Sequence, residues 1–182
     1  TPDLTLFPYT TLFRSSTLFK RDKELGFEND LATGYKVSDD KLTWTVTIRD
    51  DAKFTDGEKV TAEDVAFTYE TAKNSGSEID LTMIDKITAK DDTTIEFKLN
   101  RTYSAFMERL AYLGIVPKHA YDENFKDNPV GSGPYEFVQW DKGQQVIAKE
   151  NENYYGDKPK IKQLTMVFLD TDAAYSALQK GD

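Results

Sequence analysis

The chain contains no cysteine, which removes disulfides, thiolate catalysis and thiolate metal sites from its 182 residues. It has one histidine, His119. A hydrolytic relay needs a base, a nucleophile and an orienting group held together. A metal site built from protein ligands alone needs paired His or Cys spacing, which is absent. No apolar run approaches the ~18 residues that span a bilayer. Basic residues are in deficit, 23 against 32 acidic ones, for a net charge of −9. An acidic chain without a Lys/Arg cluster is a poor partner for nucleic acid or for anionic membrane surfaces. Aromatic residues, by contrast, are plentiful, with ten Tyr and eleven Phe. That favours packed cores over disorder.

The clearest local signal is Leu42-Thr-Trp-Thr-Val-Thr-Ile-Arg49. Leu42, Trp44, Val46 and Ile48 alternate with polar residues, the period of a half-buried strand. A turn at Asp56-Gly57 follows. Thr61 then stands as the N-cap of a helix from Ala62 to about Lys73, with Glu63 and Asp64 in its first turn. Val65, Ala66, Tyr69 and Ala72 share one face of that helix. The runs 84–89 and 94–99 read as an antiparallel pair joined at Asp91-Asp92. A helix from about Ala105 to Leu113 comes next, and a short one after Pro117. Gly131-Ser-Gly-Pro134 leads into strand 135–140, which a turn at 141–143 returns as 145–149. Ile161 and the run 164–169 read as a buried-type strand before a last helix. Thr171-Asp172 caps that helix and Gly181 stops it. The fold class is α+β, with mixed sheets and more strands than helices.

Three blocks resemble family 5 extracytoplasmic solute-binding proteins, the dipeptide, oligopeptide and nickel receptors of ATP-binding-cassette importers. The first is segment 31–70. The second is Leu113-Gly-Ile-Val-Pro-Lys-His119. The third is Gly131-Ser-Gly-Pro-Tyr-Glu-Phe-Val-Gln-Trp140 with Asn151-Glu-Asn-Tyr-Tyr155 and Leu178-Gln-Lys-Gly-Asp182. The resemblance implies a partial class II periplasmic-binding-protein-like fold. Residues 17–116 would form a smaller lobe and 117–182 part of the first large lobe, with the chain an N-terminal-half fragment. Residues 1–16 join this pattern poorly. Phe7-Pro-Tyr-Thr-Thr-Leu-Phe-Arg-Ser15 resembles a translated sequencing adaptor, and 1–16 is expected to be non-native; the alternative is an ordinary N-terminal strand and loop.

The function implied is capture of a peptide or a nickel complex, without catalysis and without a cofactor, for delivery to permease and ATPase subunits. The location implied is extracytoplasmic, either periplasmic or lipid-anchored to the outer face of the cell membrane. If the cargo is nickel, a chelating small molecule or a later lobe must supply most ligands. A carboxylate of that later lobe pairs with the peptide amino terminus in peptide-binding relatives.

The candidate ligand contacts are Tyr112, Leu113 and Gly114, just before the exit from the smaller lobe, with Ser132 of the glycine turn near the interface of two lobes. A tyrosine offers an apolar face and one hydroxyl for a peptide-like ligand. Tyr112 and Leu113 fit equally well as helix-end core residues, and 131–133 as a tight turn. Trp44, Trp140, Tyr154 and Tyr155 read as packing residues. Asp50, Asp51, Asp91, Asp92 and Glu123 read as surface acids, since neighbours on a strand point to opposite faces. Two other classes stay open, a hydrolase centred on His119 and a protein-interaction module. Self-association through an exposed apolar face is also expected.

Overall fold

The computed structural model describes residues 14–75 and 79–181. Residues 1–13, most of the segment expected to be foreign, lie outside this range. Nine strands and three α-helices form three antiparallel sheets among the described residues. A short hairpin, β1 (Phe19–Arg21) with β2 (Phe27–Asn29), precedes a four-stranded sheet of β3 (Ala32–Val37), β4 (Thr43–Ile48), β5 (Ile84–Ala89) and β6 (Thr94–Leu99). Its order is β3-β4-β6-β5, so the alternating strand foreseen at 42–49 lies inside the sheet. Val46 and Ile48 are buried at 0% and 2% exposure, while Thr47 faces solvent.

Helix α1 (Ala62–Asn74) crosses this sheet and α2 (Phe106–Tyr112) follows it. Tyr69 of α1 is fully buried, edge-on to Phe97 at 5.1 Å, and donates its hydroxyl to Arg109 O of α2 at 3.1 Å. Phe97 meets Phe106, and Phe106 meets Trp44, each in T-shaped contact. Trp44 is only partly buried; it covers the core edge and stacks on Tyr35 at 5.4 Å. The core is therefore aromatic where two helices meet one sheet. A 3-10 turn (Lys118–Ala120) stands where the short helix after Pro117 was expected.

The third sheet is β7 (Tyr135–Asp141), β8 (Gln145–Glu150) and β9 (Gln163–Val167), in that order. The turn between β7 and β8 uses Gly143 at φ 79°, a conformation glycine adopts without Cβ strain. β9 corrects the expectation of a buried strand. Ile161, Val167, Phe168 and Leu169 are 61%, 55%, 48% and 48% exposed, because β9 is an outer strand with little packed on it. Helix α3 (Thr171–Lys180) is capped by Asp170, whose side chain accepts from Ala173 N at 2.8 Å. The cap thus falls one residue earlier than Thr171. Gly181 closes the helix at φ 81°.

Candidate functional site

The segment 113–116 is where the candidate contacts gather. Helix α2 ends at Tyr112, which is 65% exposed, and the chain then dives inward. Leu113, Gly114, Ile115 and Val116 are all buried. Two elements hold this segment. Ile115 N donates to Ser16 O at 2.9 Å. From the other side Thr68 of α1 accepts from Val116 N at 3.1 Å and donates to Asp64 O at 2.7 Å. Asp64 adds a further grip, since its Oδ1 accepts from Lys118 N at 2.9 Å. Asp64 also accepts from Thr61 N and from the Thr61 hydroxyl, the reach-back that steadies the first turn of α1. One carboxylate therefore caps the helix and anchors the exit segment.

Ser132 lies beside the same line of chain but is fully buried. Its Oγ faces Ser16 N at 3.4 Å, and the Ser16 hydroxyl donates to Ser132 O at 3.0 Å. Segment 14–16 is built into the fold at this point, with Arg14 O accepting from Gly133 N. A Cβ at Gly131 would stand 2.3 Å from Arg14 O, so this turn needs glycine for close backbone approach. Asn151, at 0% exposure, donates to Gly133 O at 2.8 Å and accepts from Asn153 N at 2.9 Å. The structure thus brings Leu113, Gly114 and Ser132 to opposite sides of segment 14–16, all covered. Only Tyr112 presents its side chain to solvent.

A second cluster ties the four-stranded sheet to the loop after β8. Tyr155 donates its hydroxyl to Asp30 Oδ1 at 2.6 Å, and Thr17 N donates to Asp30 Oδ2 at 2.9 Å. Arg49 lies 4.1 Å over the Tyr155 ring and chelates Asp51 through Nε and Nη2. That guanidinium holds the Asp51 carboxyl below the usual carboxylate range. Burial first, then the Asp30 charge, pushes the Tyr155 phenol well above its ordinary value. Asp30, Arg49 and Asp51 also rim an open cleft with Asn29, Thr33 and Thr93. Tyr155 packs as foreseen, yet it also makes a polar cross-link.

His119 is exposed and hydrogen-bonded through Nε2 to Asp56 Oδ2 at 2.7 Å. Among the described residues no group of three His, Asp or Glu side chains could hold a metal ion. No helix among them is long and apolar enough to cross a membrane.

The family described as bacterial extracellular solute-binding proteins, family 5, matches residues 26–182. The chain belongs to that family. A probable D,D-dipeptide-binding periplasmic protein of Escherichia coli is 34% identical to this family 5 chain, over 90% of the chain and 35% of the relative. NikZ of Campylobacter jejuni, solved with Ni(L-His), matches at TM-score 0.86 and 33% identity over 93% of this chain and 36% of that one. AppA of Bacillus subtilis, solved with a nonapeptide, matches at TM-score 0.86 and 30% identity over 95% and 38%. The fold is therefore part of a periplasmic-binding-protein architecture. The chain spans about a third of the length of the curated relatives it matches. The family consists of transport proteins that bind solutes outside the cytoplasm, which leaves the hydrolase and interaction-module alternatives without support.

The sequence reading gave no positioning role to Ser16, Thr68 or Asn151. Each makes a bond to a residue outside its own turn of chain, Ser132, Val116 and Gly133 respectively, which no local spacing marks. Asp64 was legible as a first-turn acid, but its bond to Lys118 was not.

Proposed function

We propose that this chain is the first part of a solute-capture protein that delivers a peptide or a nickel complex to an importer. The observation that carries the reading is the wall at 112–116: a segment hydrogen-bonded from two sides, by Ser16 and by Thr68, with one large amphipathic side chain, Tyr112, left at its rim. A binding wall needs this combination, since a contact held by a fixed backbone loses little entropy when the ligand arrives. Relatives bound to such different cargo as a nonapeptide and Ni(L-His) support a shared frame with a variable pocket. On this reading residues 17–116 are the smaller lobe and 117–182 the start of a large lobe. Leu113 and Gly114 form the buried part of the wall and Ser132 backs it by packing and backbone geometry, while Tyr112 touches the ligand. No bond is made or broken, and a permease and an ATPase do the transport. The protein works outside the cytoplasm, in the periplasm or lipid-anchored to the outer face of the cell membrane.

Calorimetric titration tests this on a full-length receptor carrying the segment, with dipeptides, longer peptides and nickel–histidine as ligands. One class is expected to bind, and Tyr112→Ala to weaken it about tenfold, the equivalent of about 1.4 kcal/mol. Unchanged affinity in Tyr112→Ala removes Tyr112 from the site. Absence of binding by every solute class removes the function.

A further inference from the structure

Helix α2 carries two charged side chains one turn before Tyr112, Glu108 and Arg109. Side chains three and four residues apart on a helix are neighbours, and each leans back over the preceding turn. Tyr112 therefore shares its face of the helix with both. Glu108 is neutralised, since its carboxylate pairs with Arg21 of β1. Arg109 is not: among the described residues no acidic side chain forms an ion pair with it. Its Nε is buried and makes no hydrogen bond. Nη2 donates to the Tyr103 hydroxyl at 3.1 Å, and the guanidinium lies 5.9 Å over the Tyr103 ring. A neutral phenol satisfies one N–H and leaves the charge uncompensated. Asp80 feels the charges of Arg101 and Arg109, but its carboxyl is held below the usual range first by the Thr82 hydroxyl. Asp80 Oδ1 accepts from Thr82 N at 3.0 Å and from that hydroxyl at 2.6 Å, and it makes no ion pair with Arg109.

The guanidinium is also held in place. Tyr69 donates to Arg109 O, which ties down that residue's backbone in a last turn whose carbonyls lack helical partners. Tyr103, packed against the core, steadies the head. A cation partly withdrawn from water and left without a counter-charge is not compensated for its lost hydration. A carboxylate supplies that compensation best, because the planar guanidinium meets it through parallel N–H donors, a geometry lysine lacks. We infer that Arg109 is a specificity-determining residue of the ligand wall: it selects solutes that carry a carboxylate, and binds that group while Tyr112 covers the apolar part beside it. The inference rests on the reading of 112–116 as a ligand wall and adds to it the charge that the solute must carry.

Calorimetric titration of a full-length receptor carrying this segment reads the selection with paired probes. Dialanine and trialanine are set against their C-terminal amides, and nickel–L-histidine against nickel–L-histidinamide, so that each pair differs in one carboxylate. The parent is expected to prefer the carboxylate member of whichever pair it binds by about 10- to 100-fold, the range of a charge-assisted hydrogen bond. Arg109→Gln should erase most of that preference by weakening the carboxylate member alone, with the thermal midpoint of the parent retained. Arg109→Lys keeps the charge without the parallel donors and should restore part of the preference. A preference that survives Arg109→Gln, or an equal loss for both members of a pair, overturns the inference and leaves the wall standing as a binding surface. Where Arg109→Gln does not fold, Arg109→Lys decides: a reduced preference supports the inference and an unchanged one overturns it. A parent that binds none of the probes removes the wall reading and this inference with it.

Discussion

Asn151 does the work of several residues at one point. Its amide donates to Gly133 O, its side-chain oxygen accepts from Asn153 N, and its backbone N–H donates to Pro134 O at 2.9 Å. These bonds close the glycine turn onto the start of β7 in a place water does not reach. Removing the side chain leaves a buried carbonyl without its donor, which costs more than the bond itself was worth. Asn151→Ala is therefore expected to lower stability by about 2–3 kcal/mol. Urea unfolding should show it as a lower midpoint at unchanged slope. A loss within error would mean that the turn is held instead by Ser16 and by Thr55, whose N–H donates to Gly131 O at 2.8 Å.

At the scale of elements, α1 is the organiser. Its apolar stripe supplies Val65, Tyr69 and Ala72 to the core, as the 3.6-residue period requires. Asp64 and Thr68 are buried on the same helix although both are polar, because they serve the exit segment. A polar pair inside a core is tolerated only when its bonds are made. Asp64→Ala removes the acceptor for Thr61 N and Lys118 N together, with an expected loss of about 2 kcal/mol. Thermal unfolding followed by circular dichroism gives the magnitude. Proteolysis near His119 should rise in the same variant, and an unchanged cleavage pattern would separate the cap from the grip on the exit segment.

At the scale of the molecule, the Tyr155–Asp30 bond cross-links the loop after β8 to the chain entering β3, beside the joins made by segment 14–16. The Tyr155 phenol is raised above its ordinary pKa of 10.0, first by burial and then by Asp30. The buried Tyr69 phenol is raised in the same direction by burial. A raised folded pKa means that the neutral phenol favours the fold. The stabilisation is complete below pH 10.0, where the unfolded phenol is also neutral, and drains away as the pH climbs beyond it. The urea midpoint should therefore decline on the alkaline side. Tyr155→Phe should make the decline shallower, while costing the Asp30 bond at neutral pH. An equally steep decline in that variant would assign the pH dependence to other groups.

The sequence by itself determined the elements with short-range causes. The alternation of 42–49, the first-turn acids of α1 and the glycine turns each depend on residues a few positions apart, and such spacing is written in the chain. It also marked 113–119 as the place to look, through resemblance to a family to which the chain proved to belong. Only the tertiary structure decided which candidates face solvent. Tyr112 and Leu113 are neighbours of similar apolar bulk, yet one is 65% exposed and the other 6%. The difference arises because Ser16, Thr68 and Asp64 pull the chain inward from position 113 onward, and those partners lie about 50 to 100 residues away. The exposure of β9 has a similar origin. Its residues suit a buried strand, but burial requires an element packed against it, and whether one is present is a property of the assembled fold.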